Sequence, residues 1–178
     1  ACQGVVRFGA NDEMSAAEMK SRIGYVSHEF HSEFYEPAST AAAVVSTGLF
    51  MGRTRFLDLS SEQEDKVKVA LSKVNMLDKS SHRISSLSYG QYRRILLARA
   101  IVNKPLLLLL DEAFSGLDIQ GRKALLQIID SLAKSDTRII QVAHDPEDLP
   151  EFITNVLVLK QGRIVDKREV SSLKCINE

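Results

Sequence analysis

The 178-residue sequence has few cysteines, no excess of charge of either sign and no long apolar run. Its two cysteines, Cys2 and Cys175, lie near opposite ends and form no CxxC motif or Cys/His cluster, so neither a zinc site nor a disulfide framework is indicated. A reducing compartment fits this usage best. The 23 basic and 23 acidic residues balance, and we therefore expect no specific nucleic-acid partner.

Purely apolar runs are too short to cross a membrane. The five leucines Leu106 to Leu110 fall far below the roughly 20 apolar residues that a membrane-spanning helix needs, and Ala1 to Ala10 contain no signal-peptide core. We expect a chain that is soluble by itself and cytoplasmic, with any membrane role supplied by a partner.

The apolar pattern predicts an α/β fold. Ile23 to Val26, the five leucines, and TRIIQVA at residues 137–143 are typical strands, and an amphipathic helix links the last two. Residues 106–143 are therefore expected to form a βαβ unit with parallel strands, and the leucine strand to be buried on both faces.

Helical patterns and a hairpin complete the prediction. Ser61 with Glu64 predicts a capping box, followed by a helix with one apolar face. Near the end of the chain, Gln161-Gly162 predicts the turn of a hairpin, and DKREVSSLK at residues 166–174 predicts a short terminal helix. The apolar face of the earlier helix consists of Val67, Ala70, Leu71 and Val74.

Two adjacent carboxylates, Asp111 and Glu112, follow the leucine strand, at the end where open parallel sheets bind ligands. An Asp there can hold Mg²⁺ through its water shell and the Glu can polarise an attacking water, as phosphoryl transfer requires. The alternative is an acidic pair that caps a helix. His144 ends the next strand in the same way, and it is either a hydrogen-bond donor to a terminal phosphate or a structural histidine.

A serine-rich loop at residues 86–91, SLSYGQ, precedes an apolar helix. A helix N-terminus has unpaired N–H groups and a partial positive charge, so it is suited to binding a phosphate; an ordinary capped helix is the alternative. The sequence SGLD at residues 115–118 predicts a tight turn with Asp118 as the N-cap of the following helix.

Taken in order, LSYGQ at residues 87–91, LLLLLDE at 106–112, SGLD at 115–118 and His144 resemble the signature loop, Walker B strand, D-loop and switch histidine of ABC-type ATPase domains. The resemblance covers most of the chain, from GVVRFG to the QGRIV hairpin. It implies a partial P-loop NTPase core of the RecA-like type, with a parallel sheet and an inserted α-helical subdomain.

This resemblance also implies three segments. Residues 1–36 would be the N-terminal part of the sheet core up to a Q-loop-like segment. Residues 37–100 would be the helical subdomain with the signature motif. Residues 101–178 would be the C-terminal α/β core with the Walker B strand, D-loop and switch histidine.

In ABC ATPases two such domains pair head to tail around ATP and Mg²⁺. The resemblance therefore implies that Asp111 binds Mg²⁺ through water, that Glu112 is the general base, and that His144 contacts the γ-phosphate. It further implies that Asp118 communicates across the dimer. The residues implied in nucleotide binding are Ser88, Tyr89, Gly90, Gln91, Asp118 and His28.

Three departures from the family pattern bear on these expectations. The 178 residues contain no G-x-x-x-x-G-K-[ST] phosphate cradle, so we expect GVVRFG to align just after the P-loop helix and the chain to be a C-terminal fragment, inactive by itself. His28 stands where the family usually has Gln, and its imidazole can hydrogen-bond a water or a neighbouring subunit. Tyr89 replaces a more common Gly.

The leading functional hypothesis is an ATP-hydrolysing transporter subunit that docks on a separate transmembrane permease at the inner face of the membrane. One alternative is a soluble, non-transport ABC ATPase of the tandem-domain, regulatory or repair type. The repair type is disfavoured because only about sixty residues separate His28 from Ser88, too few for a long coiled coil. A second alternative is a non-catalytic fragment that acts only by complementing a partner domain.

Overall fold

The computed structural model describes residues 16–27, 38–50, 58–144 and 149–170 and divides into two compact units, residues 1–142 and 143–178. The first unit contains, in order, α1 (Ala16–Ser21), β1 (Ile23–Ser27), α2 (Ala41–Ser46), α3 (Ser61–Lys73), α4 (Tyr89–Ile101), β2 (Leu107–Asp111), α5 (Ile119–Ala133) and β3 (Arg138–Val142). Single 3₁₀ turns lie at Thr47–Phe50, Leu77–Lys79 and Ile84–Ser86. The second unit contains β4 (Asn155–Lys160) and β5 (Arg163–Glu169).

The first unit is built on a parallel sheet with strand order β1-β2-β3. The leucine strand β2 lies in the middle, and the register pairs Ser27 with Asp111 and Asp111 with Val142. Because α5 connects β2 to the parallel strand β3, the predicted βαβ unit is confirmed.

Burial in the sheet alternates, so the expectation that the leucine strand is buried on both faces is wrong. Leu108 and Leu110 are buried, whereas Leu107 and Leu109 are only half-buried. The reason is that the side chains of α4 and α5 pack together against the face that carries Leu110. On the opposite face, Tyr25 and Ile140 flank Leu109 in register and remain 40% and 55% exposed.

Helix α4 has the largest number of buried residues among the described helices because it packs against β1 as well as against α2 and α3. Two glycines permit its close approach. A Cβ added to Gly24 of β1 would lie 2.5 Å from the carbonyl oxygen of Ala100, and one added to Gly48 would lie 2.2 Å from that of Arg99. At both positions any larger residue would collide with the α4 backbone.

The capping box of α3 forms one residue earlier than predicted. Ser60, not Ser61, is the N-cap: its hydroxyl accepts the N–H of Gln63, and the Gln63 side chain accepts the N–H of Ser60. Both serines satisfy the capping pattern, and the earlier start adds a residue to the helix. The predicted apolar face is confirmed, since all four of its residues are buried.

In the second unit, β4 and β5 pair as an antiparallel hairpin whose turn is Gln161-Gly162, as predicted. Both turn residues have positive φ, 51° and 73°, which matches the twist of a tight hairpin. The prediction of a terminal helix at residues 166–174 is wrong for residues 166–169. These residues belong to β5, whose backbone groups pair with β4.

Within the described ranges, no helix is both long enough and apolar enough to cross a membrane.

Candidate nucleotide site

The carboxyl ends of the three parallel strands meet at one edge of the sheet. Ser27, Asp111 and Val142 are the last residues of β1, β2 and β3, and they are neighbours in the register. Ligands of open parallel sheets bind outside this edge. The sequence prediction that Asp111 lies at the carboxyl end of a central strand is therefore confirmed.

Asp111 is half-buried and its carboxylate is held by a neighbouring strand. The hydroxyl of Tyr25, from β1, donates a hydrogen bond to Asp111 Oδ2 at 3.1 Å. Sequence reasoning missed Tyr25 because its role depends on the pairing of β1 with β2. The alternation of β1 was the available signal, since it places Tyr25 on the same face of the sheet as Asp111.

Glu112 has a left-handed backbone, with φ of 49°. This conformation is uncommon for a residue with a side chain: it costs free energy and persists only where its surroundings enforce it. Here the N–H of Glu112 donates to the carbonyl of Val142 at 3.2 Å, and its own carbonyl accepts from the N–H of Ser115 at 3.1 Å. Glu112 therefore leaves the strand and immediately starts the turn that leads to Asp118.

The N-terminus of α4 carries a complete capping box. The Ser88 hydroxyl accepts the N–H of Gln91 at 3.3 Å, and the Gln91 side chain accepts the N–H of Ser88 at 2.9 Å. The amides of Tyr89 and Gly90 lie in the first turn, and neither has an acceptor among the described residues. Two donors at the positive end of a 13-residue helix thus remain available to an anion.

The turn at residues 115–118 lies beside this helix end. The Tyr89 hydroxyl donates to the carbonyl oxygen of Ser115 at 3.3 Å. Gly90 lies beside the next helix, since a Cβ built on it would be in ordinary contact with the Cα of Gly121, at 3.6 Å. Asp118 is the N-cap of α5, as predicted, and its carboxylate accepts the N–H of Gly121 at 2.7 Å. The structure therefore brings the residues of the LSYGQ loop and Asp118 together.

Arg93 is a second residue that sequence reasoning missed. It is only 2% exposed, and its Nη1 donates to the carbonyl oxygen of Ser27, the last residue of β1, at 2.8 Å. Its guanidinium carbon lies 5.0 Å from the centre of the Tyr89 ring. The signal in the sequence was an arginine one turn before Leu97, a buried residue on the same side of α4.

Two predicted site residues are not positioned against the others. His28 lies outside the described residues. His144 is described and exposed, but it belongs to the second unit, so its approach to Glu112 stays a prediction.

Comparison with known proteins places this geometry in a family. The ABC transporter family matches residues 2–115. The zinc uptake system ATP-binding protein ZurA of Listeria innocua is 32% identical over 149 residues, 82% of this chain and 57% of that protein. The high-affinity zinc uptake system ATP-binding protein ZnuC of Bacillus subtilis is 31% identical over 141 residues, 79% of this chain and 61% of that protein.

Solved structures agree. An ABC transporter in an inward-facing conformation has a TM-score of 0.73 at 28% identity and is matched over 85% of this chain and 59% of that chain. The protein cbiO1 from Clostridium perfringens, part of the ABC transporter complex cbiONQ, also has a TM-score of 0.73; at 23% identity it shows the fold.

The class is therefore an α/β protein with the parallel-sheet core of P-loop NTPases, as predicted. The chain belongs to the ABC transporter family, whose match covers more than half of its residues. It spans 57% to 61% of the length of the first relatives it matches.

Proposed function

We propose that this chain is part of the ATP-hydrolysing subunit of an ABC transporter, which powers transport through a separate membrane partner. The observation that carries the proposal is the Asp111–Glu112 pair at the carboxyl edge of the sheet, with the Glu112 backbone held in a left-handed conformation. Strained residues that their surroundings enforce cluster at active sites. On this proposal the protein is cytoplasmic and reaches the inner face of the membrane through its partner.

Asp111 would hold Mg²⁺ through water. Among the described residues there is no group of three or more His, Cys, Asp and Glu side chains that could bind a metal alone. A single oriented carboxylate nevertheless fits Mg²⁺, which is commonly bound through one or two carboxylates, waters and the phosphates of a nucleotide. When bound, the ion would neutralise charge on those phosphates. The hydrogen bond from Tyr25 would keep the Asp111 carboxylate in place.

Glu112 would accept a proton from the attacking water. General-base catalysis typically contributes about 10²- to 10⁴-fold to a rate. His144 would donate a hydrogen bond to the phosphoryl group in transfer. His28 would hydrogen-bond a water or a neighbouring subunit.

A second cassette would complete the site. The Ser88 hydroxyl, which accepts the N–H of Gln91, can still donate its own proton to a phosphate oxygen. Together with the amides of Tyr89 and Gly90, it would bind the γ-phosphate of ATP held by the partner cassette. Asp118, beside this helix end, would communicate across the pair. We also propose the boundaries 1–36, 37–100 and 101–178 for the sheet core, helical subdomain and C-terminal core.

The test uses the complete cassette, by which we mean a protein that carries these 178 residues together with a phosphate cradle. Glu112→Gln should lower the ATP turnover number at least about 100-fold, because the amide cannot accept the proton. Steady-state phosphate release measures this effect. Glu64→Gln, at an exposed glutamate of α3, is the matched control and should retain wild-type turnover.

Unchanged turnover in the Glu112→Gln variant would remove Glu112 from the role of general base. A wild-type complete cassette that hydrolyses no ATP would instead favour the non-catalytic alternative.

A further inference from the structure

Tyr89 connects two parts of the candidate site. Its ring lies directly against the Ser115–Gly116 turn: a Cβ added to Gly116 would lie 3.2 Å from Tyr89 Cε1 and 3.5 Å from the hydroxyl oxygen. The hydroxyl donates to the carbonyl oxygen of Ser115. Gly116 has a φ of 74°, which favours glycine, and the absence of a side chain there leaves room for the ring. The first turn of α4 therefore contacts the turn before Asp118.

Arg93 extends this contact into the core. Its guanidinium stacks on the Tyr89 ring and donates through Nη1 to the carbonyl oxygen of Ser27. The other two nitrogen atoms, Nε and Nη2, are buried and have no hydrogen-bond partner among the described residues. A buried cation is costly unless it is paired, and an aromatic face attracts a cation. Among the described residues, the Tyr89 ring and the carbonyl of Ser27 thus stabilise this buried charge.

Tyr89, Arg93, Ser115 and Gly116 are called the Tyr89 cluster below. We propose that Tyr89 is a positioning residue: through the Tyr89 cluster it fixes the N-terminus of α4 against the Ser115–Gly116 turn. The phosphate-binding amides and Asp118 would then approach a partner cassette as one unit. Because the family commonly has Gly at this position, the coupling depends on a side chain that the usual signature loop lacks. The effect of this coupling on ATP hydrolysis rests on the proposed function, whereas its effect on the stability of the turn at residues 115–118 does not.

The structural test is hydrogen–deuterium exchange of the 178-residue chain, read out at residues 115–118. Tyr89→Ala should raise the exchange rate in this turn at least about threefold, because it removes both the ring contact and the hydrogen bond. Tyr89→Phe keeps the ring against Gly116 and Arg93 and should restore most of the protection. Leu77→Ala, at an apolar residue of similar exposure outside the Tyr89 cluster, is the control.

A second variant tests the same contact from the Arg93 side, in case Tyr89→Ala fails to fold. Arg93→Met keeps most of the buried volume while it removes the cation on the ring, and it should accelerate exchange at residues 115–118 in the same direction. Unchanged exchange in Tyr89→Ala, or equal acceleration in Tyr89→Ala and Leu77→Ala, would overturn the proposal.

The kinetic test uses the complete cassette. Tyr89→Ala should lower kcat about fivefold and leave KM for ATP within twofold, because ATP binds to the phosphate cradle and the Tyr89 cluster only orients the groups that close on it. Tyr89→Phe should recover most of kcat. A rise in KM with kcat unchanged, or no recovery with Phe, would overturn the positioning role. If the wild-type cassette hydrolyses no ATP, the proposed function fails, and the exchange experiment still decides whether the Tyr89 cluster couples the two turns.

Discussion

At the residue scale, the site depends on a few side chains whose neighbours fix their orientation. Tyr25 holds Asp111, Gln91 holds Ser88, and the backbone of Val142 helps hold Glu112 in a left-handed conformation. The Asp111 carboxylate, the Ser88 hydroxyl and the Glu112 backbone are thus held in place before any ligand binds. Such preorganisation is the main contribution a protein makes to phosphoryl transfer.

Asp118 combines a structural role with its proposed role across the dimer, and substitution can separate the two. Asp118→Ala should lower the free energy of unfolding of the chain by about 1 kcal/mol, because it removes the cap on the N–H of Gly121. Asp118→Asn keeps an oxygen acceptor and should retain most of that stability. Urea unfolding followed by circular dichroism measures both. Equal losses for Ala and Asn would show that the carboxylate charge, not the cap, stabilises α5.

At the element scale, local patterns predicted the elements whose stability is local or whose apolar period is strong. The strands β1, β2 and β3, the apolar face of α3, and the N-cap of α5 all follow from short sequence signals. The burial of Arg93 is signalled only by its spacing from Leu97, because a charged residue on a helix is ordinarily exposed; the packing of α4 against β1 encloses it.

The failed element predictions have two origins, one long-range and one local. DKRE within residues 166–169 has a helix-compatible composition, yet its backbone pairs with β4, a long-range contact that local propensity cannot detect. The capping box moved from Ser61 to Ser60 because the two neighbouring serines offer the same pattern.

The contact of α4 with the sheet makes a further prediction. Gly24→Ala should lower the free energy of unfolding by about 3 kcal/mol, since the added methyl group would lie against the Ala100 carbonyl and neither backbone can move freely. Chemical denaturation of the chain measures this change. Gly90→Ala is the matched control: its added methyl group meets ordinary contacts at 3.6 Å and should not lower stability. A loss below about 1 kcal/mol for Gly24→Ala would contradict the close packing described.

At the scale of the whole molecule, the described residues would, on the proposed function, supply the groups that close a nucleotide site, while the 178 residues contain no motif that cradles phosphates. Fold class and family were predictable because the motifs occur in a specific order along the chain. The approach of His144 to Glu112 stays a prediction, because the two residues lie in different units.

Because the 178 residues contain no phosphate cradle, we expect that they bind ATP weakly by themselves and hydrolyse none. Isothermal titration should detect no binding at micromolar ATP. The N-terminus of α4, and one Mg²⁺ held by a single carboxylate, would together neutralise too little of the triphosphate charge. A dissociation constant in the micromolar range for this chain would contradict the prediction.

On the proposed function, the N-terminus of α4 binds the γ-phosphate of ATP held by a second cassette, and ATP-dependent pairing of cassettes tests this most directly. In the Glu112→Gln complete cassette, sedimentation should detect a pair with ATP and single cassettes without it. Adding Gly90→Asp should abolish this pairing: an aspartate in the first turn suits the helix dipole and permits folding, but it repels the phosphate. Pairing of the Gly90→Asp variant at the same ATP concentration as its parent would contradict the account.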